Sequence, residues 1–420
     1  MAWWIYALAA IAITSLGLLF VLLVALRVSV RYTLEEPGNM GQPGFVHTLV
    51  GLTSSPERPV TQARLYGDVD EIYDSMLEAI HGAQHTITFE TYLFWSGTIT
   101  DRFVEAFGER ARAGVKVKLL LDADGSRFLT RRTLQALKDS GCDVRMFRPF
   151  LWYQPVQYNH RTHRKLLVVD GKVGFTGGIG ISDIWYGPPK WLEVMVRLEG
   201  GVVGLLQGAF FQNWVIAGGA LCLGDDFFPE IEDDPHAKAM AMVTTSSPIW
   251  GDSSMRLLYY SSIASAQKTL YLITPYFLPN WDTIAALGAA AARGVDVRLL
   301  LPGPRNDKAL PYFASRRLYG LLLAAGVRIY EYMPSMMHAK AMVIDGRWVT
   351  LGSTNFDPRS FFLNSELNMS IDDPGFASEM ESFFMQALAQ SKEQHYHEWR
   401  KRGLKEHVLG WMGLVIKDQL

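Results

Sequence analysis

Apolar residues are unevenly distributed along this chain. From Trp3 to Leu26 they run almost without interruption, and no charged side chain precedes Arg27. As a helix those 24 residues would span about 36 Å, more than the ~30 Å of bilayer hydrocarbon. The pattern predicts an N-terminal transmembrane helix over 3–26. A cleaved signal peptide is the alternative, but it would need a basic n-region and an Ala-x-Ala site, which are missing. Trp3, Trp4 and Tyr6 suit one interface and Arg27 and Arg31 the other, which puts the remainder of the chain in the cytoplasm by the positive-inside rule. Residues 32–62, rich in Gly, Pro, Ser and Thr, read as a linker.

Beyond the linker, short apolar runs alternate with helical patterns. Val115–Leu121 and Val295–Leu301 read as buried strands, each preceded by a helix, over Arg102–Ala113 and Trp281–Arg293. The strings themselves recur: Ala83–Ile87 is echoed by Ala266–Leu270, and Ala113–Leu121 by Arg293–Leu301. So long an interval matches a duplicated domain rather than a solenoid. The reading is α/β, two tandem α-β-α sandwich repeats over 63–222 and 239–391, followed by a tail over 392–420. Gly201–Leu223 is uncharged, but Gln207, Gln212 and Asn213 interrupt it, which predicts a buried core helix rather than a second span. In the tail, Trp399, Leu404, Val408, Trp411, Met412 and Val415 fall at helical spacing beside Arg400, Lys401 and Arg402. That stripe suits either a bilayer interface or packing on the body.

Composition narrows the function. The chain has 420 residues, with 40 basic and 42 acidic side chains, for a net charge of −2. No global basic field attracts nucleic acid, so any phosphate site must be local. Cys142 and Cys222 form no disulfide framework and have no zinc-type spacing. The acidic loop Asp225, Asp226, Glu230, Glu232, Asp233 and Asp234 reads as a solvated boundary. No metal and no cofactor are therefore expected.

The chemistry lies in a motif that occurs twice. His163-Arg164-Lys165 leads to Asp170, and His338-Ala339-Lys340 leads to Asp345, both as H-x-K-x-x-x-x-D and 175 residues apart. Chance would supply on the order of 0.02 such matches. Period-2 geometry puts His and Lys on one strand face, where imidazole and ammonium can converge on one anion. Each motif is followed by a small-residue turn, Gly177-Gly178-Ile179-Gly180 and Gly352-Ser353-Thr354-Asn355, whose hydroxyl, amide and backbone donors suit a phosphate.

Duplicated HxK(x)4D followed by GSxN resembles the phospholipase D superfamily. Thr274–Pro279, Asn355–Ser360 and Asn364–Asn368 are similar to its bacterial cardiolipin synthase branch. The resemblance implies phospholipase D-like repeats with a shared active site at their interface. It implies metal-independent chemistry on a phosphodiester, with His163 as nucleophile and His338 as general acid. Lys165 and Lys340 would stabilise charge on phosphorus, and Ser353 and Asn355 would bind phosphate. Glu193 and Glu366 would support the imidazoles, while Asp170 and Asp345 read as structural carboxylates at the strand ends. The implied enzyme is a single-pass protein of the cell (inner) membrane that makes cardiolipin from two molecules of phosphatidylglycerol, with phospholipid and the bilayer as partners and no nucleic acid. Gly180 stands where the family has Asn, and Met195 where a polar residue is frequent. A phospholipase D-type hydrolase, a transphosphatidylase using another lipid or alcohol, a nuclease and an inactive scaffold are the rivals. His160 reads as a turn residue, and His395 and His397 as exposed. Glu90 and Tyr92 suit the site or the core, and Arg359 suits a headgroup channel or a surface ion pair.

Overall fold

The computed structural model describes residues 3–25, 31–36, 38–42, 44–231, 239–248, 254–415 and 417, with the side chains of 16, 18–25 and 155 outside the description. The β-branched and leucine-rich runs form two mixed sheets. The first has seven strands in the order Gln62–Tyr66, Met195–Glu199, Val173–Gly177, Leu166–Val169, Thr86–Thr91, Lys116–Asp122 and Asp143–Phe147. The second repeats that order with Ala239–Ser246, Glu366–Asp372, Trp348–Gly352, Ala341–Ile344, Thr269–Ile273, Asp296–Pro302 and Arg328–Tyr332. Glu57–Val60 is added at one edge and Ser391–Gln394 at the other, making nine strands. The repeated order is the duplication read from the echoed strings, now seen as topology.

Each sheet is coated on its outer face by its own helices and turns its inner face toward the other repeat. The helix Val202–Ile216 lies in this shared core. Val203, Leu206, Phe210 and Trp214 from it are buried with Val168, Val196, Val343 and Met369 from both sheets. An apolar helix surrounded by protein needs no polar face, so the uncharged stretch from Gly201 is a core helix.

Two expectations are corrected. The apolar N-terminus does form a helix, Trp3–Ala25, within a unit, Met1–Glu36, separate from the rest. Among the described residues, however, no helix is long and apolar enough to cross a membrane. The expected transmembrane anchor and the single-pass inner-membrane placement built on it are therefore withdrawn, and Arg27, used for orientation, lies outside the described residues. The second correction concerns residues 44–60, expected within a linker. Gly44–Thr53 is a helix whose Phe45 and Leu49 enter the outer core of the second repeat, and Glu57–Val60 pairs with Ala239–Met242. Phe45 meets the indole of Trp348 edge-on at 5.8 Å, which ties this segment to the sheet. Of the acidic loop, Glu232, Asp233 and Asp234 lie outside the described residues, and Asp226 pairs with Lys116.

The tail resolves in favour of packing on the body, with one face left over. In the helix Leu404–Val415, Gly410 and Gly413 sit against backbone carbonyls of Phe313 and Leu310, and Glu406 accepts from Arg316. Leu404, Trp411 and Val415 remain exposed.

The motif aspartates terminate their strands. Asp170 accepts hydrogen bonds from the backbone N–H groups of Gln84, His85 and Thr86, each at 2.8 Å, and Asp345 accepts from Gln267, Lys268 and Thr269. Both have positive φ, 52° and 54°, a conformation Asp tolerates and Ala does not. At about 3.3 Å per residue each lies roughly 20 Å of chain from its histidine. We expect Asp170→Ala to lower the unfolding free energy by about 1–3 kcal/mol and Asp170→Asn to cost less. Urea midpoints at unchanged m-value would measure this, and an Ala variant as stable as the parent would contradict the capping role.

Candidate active site

The two histidines reach one place because of strand direction. Leu166–Val169 runs antiparallel to Thr86–Thr91, with Leu166 opposite Glu90, so His163 lies beyond the carboxyl end of the parallel strands. Ala341 lies opposite Ile273 in the same way, which puts His338 in the equivalent position. Ligands of open α/β sheets bind at that end.

Short cross-repeat bridges then join the halves. Thr162 pairs with Ser365 and Leu192 with Met337. The His163 N–H donates to Ser365 O at 2.9 Å, and the His338 N–H donates to Leu192 O at 2.8 Å. The residue after each bridge strand partner is a glutamate, so each imidazole meets a carboxylate from the other repeat. His163 Nδ1–H donates to both oxygens of Glu366 at 3.1 Å, and His338 Nδ1–H donates to Glu193 at 2.7 Å. Binding the Nδ1 proton leaves Nε2 of each ring with its lone pair. Lys165 and Lys340 are buried, each ammonium donating to the carbonyl of its own motif histidine.

These charges interact strongly. Burial, followed by Lys165, Lys340 and His338, holds His163 well below the usual imidazole range. Burial and Lys340 lower His338 to about 4, against the pull of Glu193. Burial and Lys340 hold Lys165 well below the ordinary ammonium value, and burial brings Lys340 to about 8. Burial raises Glu366 to about 7. For Glu193 burial is outweighed by His338, Lys340 and the Val194 amide, and its carboxyl stays below the usual value. Burial and the paired ammonium groups thus disfavour further positive charge here, and a phosphodiester anion would offset them.

The halves differ around the carboxylates. Ser353 Oγ donates to Glu366 Oε2 at 2.5 Å, so this hydroxyl addresses the glutamate. Its counterpart Gly178 has no hydroxyl, and Glu193 instead accepts from the indole N–H of Trp185 at 3.2 Å. Gly180, the counterpart of Asn355, is crowded: a Cβ there would lie 2.8 Å from Leu93 O and 3.2 Å from the Trp185 ring. Leu93, whose Cβ would lie at 2.9 Å, and the Trp185 ring together take the space an asparagine would need. Asn355 is buried, and its Oδ1 has no hydrogen-bond partner among the described residues. The offset of 175 that relates the motifs also sets Trp185 opposite Ser360, a signal present in the sequence but not used there.

Aromatic rings close around both imidazoles. Tyr92 meets His163 edge-on at 5.3 Å, while Trp185 and Trp191 lie 5.7 and 5.9 Å from His338. Glu90 does not join the histidines; it accepts from Thr162 and Asn213 in a buried network behind His163. Sequence reasoning missed Arg164, whose buried guanidinium donates to Glu366 O and Ala209 O, and the buried Arg161–Asp122 pair. Arg359 donates to Asn159 of the other repeat, and His160 Nδ1–H donates to Leu363 O; both hold the repeats together. His395 and His397 stack on each other at 5.7 Å, away from the motif histidines. Among the described residues no group of three His, Cys, Asp or Glu could hold a metal ion.

The family described as "Cardiolipin synthase, PLD-like domain" matches residues 76–185 and 259–388, the two halves of this site. The chain belongs to this phospholipase D-like family. Cardiolipin synthase 1 of Bacillus anthracis is 32% identical over 366 residues, covering 84% of this chain and 72% of the relative. The cardiolipin synthase of Geobacillus sp. (strain WCH70) is 32% identical over 373 residues, covering 87% and 74%. The solved phosphatidylserine synthase of Haemophilus influenzae Rd KW20 has the same fold, with a TM-score of 0.70 at 14% identity, covering 90% of this chain and all of that one. A phospholipase D-like enzyme with this arrangement gains protons when it binds an anion. Bound phosphate raises the depressed Lys340, which at pH 8 is about half protonated when free. Calorimetry at pH 8 in buffers of different ionisation enthalpy should show uptake of about half a proton or more per inorganic phosphate, and no uptake would refute the charge balance described.

The Trp185–Gly180 substitution pair is testable as a cycle. Gly180→Asn alone should destabilise by about 1–3 kcal/mol through overpacking, and Trp185→Ser alone by about 3–5 kcal/mol through its cavity. The double variant should recover at least about 1 kcal/mol relative to their sum. Strict additivity in denaturant melts would show that the two positions do not exchange space.

Proposed function

We propose that this phosphatidyltransferase of the cardiolipin synthase type makes cardiolipin from two molecules of phosphatidylglycerol, through a phosphohistidine on His163. The observation that carries the reading is the reciprocal pairing of each imidazole with a carboxylate of the other repeat. Nε2 of His163 attacks phosphorus, and the P–O bond to the headgroup glycerol breaks. His338, charged when the substrate anion offsets the lysines, gives its Nε2 proton to the leaving alkoxide; such general acid catalysis contributes about 10²–10⁴-fold. A glycerol hydroxyl of a second phosphatidylglycerol then gives its proton to His338 and attacks phosphorus, and the N–P bond breaks. One phosphodiester replaces another, and glycerol leaves.

The assignment of the two histidines is supported by the inequality of their partners. The 2.7 Å contact from His338 goes to the glutamate held below its usual value, and a firm carboxylate favours an imidazolium. Glu366, raised to about 7, gives His163 less of that support and leaves it as the neutral nucleophile. Lys165, Lys340 and Asn355 stabilise charge on the phosphoryl oxygens, and Ser353 acts by orienting Glu366. The rings of Tyr92, Trp185 and Trp191 limit water at the intermediate, which favours transfer over hydrolysis.

Purified full-length protein given phosphatidylglycerol vesicles should yield cardiolipin and glycerol in equal amounts by mass spectrometry. Phosphatidic acid without cardiolipin would overturn the reading in favour of a hydrolase. His163→Ala and His338→Ala should each lower turnover at least about 10³-fold. With phosphatidyl-p-nitrophenol, whose leaving group needs no proton, the His338→Ala protein should accumulate a phosphatidyl adduct on His163. An adduct on any other residue would reverse the roles.

A further inference from the structure

The two loops that follow Lys116–Asp122 and Asp143–Phe147 carry large apolar side chains in water. Trp152 is 81% exposed, Val156 71%, Phe150 65% and Phe128 55%. Parallel strand direction puts both loops at the end of the sheet where His163 lies. They are one surface, because Tyr158 joins them. Its ring meets Phe150 edge-on at 5.3 Å, and its hydroxyl donates to Asp124 of the other loop at 2.8 Å. The Tyr158 ring also carries the guanidinium of Arg161, 4.4 Å from its centroid and two residues before His163. The apolar rim is therefore built directly onto the histidine segment.

Cations are interleaved with it. Arg127, Arg131 and Arg132 are exposed beside Phe128, while the half-buried Arg148, two residues before Phe150, donates to Gln157 O and His160 O. The nearby acid, Asp124, is already engaged by Tyr158 and Arg127. A chain with a net charge of −2 thus concentrates positive charge at this rim. Exposed Trp and aliphatic side chains among arginines match the interface of an anionic bilayer, where aromatic rings settle at headgroup depth and each basic residue near the surface adds about 1 kcal/mol. A protein partner would satisfy the apolar groups but gives no reason for the arginines.

We propose that the rim formed by Phe128 and the 150–156 loop docks peripherally on an anionic phospholipid surface, setting the mouth beside His163 at headgroup depth. The proposal rests on the phospholipid-transfer reading and adds how the substrate is reached. It concerns surface docking of the catalytic body and involves no membrane-spanning segment.

The test uses the full-length protein with Cys222→Ser and Val156→Cys, the new thiol carrying an environment-sensitive fluorophore. Vesicles of phosphatidylglycerol should shift its emission to the blue and raise it about threefold or more, while phosphatidylcholine vesicles should have little effect. A probe that stays in water with phosphatidylglycerol vesicles overturns the proposal even if cardiolipin is formed. A shift without lipid that grows with protein concentration also overturns it, in favour of self-association. The second arm is Phe150→Ser/Trp152→Ser, both exposed and unburdened by packing in the core. Transfer on vesicles should fall at least about tenfold, while transfer on monomeric dihexanoyl phosphatidylglycerol stays within about twofold. Equal loss on both substrates would mean that these residues serve the headgroup site and refute docking. If the probe enters the bilayer but neither substrate is turned over, docking stands and the transfer reading fails.

Discussion

Each catalytic half of this protein is incomplete until the other repeat supplies a carboxylate. The hydrogen bond from His163 to Glu366 and that from His338 to Glu193 cross the boundary between the duplicated sheets. They are possible because backbone bridges, Thr162 with Ser365 and Leu192 with Met337, bring the segments into register. An imidazole with a bound Nδ1 proton is a nucleophile or base at Nε2; without the carboxylate its tautomer is undetermined. The shared core around Phe210 and Trp214 therefore does more than bury surface: it holds two half-sites at a fixed separation.

Concentrating two ammonium groups, two carboxylates and two imidazoles in one buried place is costly for an empty site. The depressed values of His163, His338, Lys165 and Lys340 express that cost as a readiness to bind an anion. An anion placed beside these groups would offset the neighbouring ammonium charge and raise the proton affinity of both imidazoles.

Much of this was legible in the amino-acid order. The duplicated motif and the core nature of the stretch from Gly201 follow from spacing and periodicity, while Glu193 and Glu366 entered through the family resemblance. The crossing of the glutamates was not legible, because sequence separation does not say which repeat a strand end faces. The role of Trp185 was hidden for a similar reason: its indole N–H takes the place of the Ser353 hydroxyl, and its ring shares with Leu93 the space beside Gly180. The reading of the N-terminal run as a membrane span is overturned: Trp3–Ala25 is helical, but among the described residues no helix is long and apolar enough to cross a membrane. Residues 44–60 looked like tether by composition, yet Phe45 and Leu49 found a core in the second repeat, a tertiary effect that a local window does not contain.

The asymmetry between the halves has a consequence for the direction of the chemistry. A perfectly symmetric pair of sites would let either histidine attack, and a second phosphodiester could then be held in two orientations. Here the imidazole of His338 rests on Glu193, whose carboxyl stays below its usual value with Lys340, the Val194 amide and an indole donor beside it; that of His163 rests on Glu366, which burial pushes toward neutrality. Duplication thus supplied two copies of one device, and divergence around Gly178, Gly180 and Trp185 set their carboxylates in different surroundings.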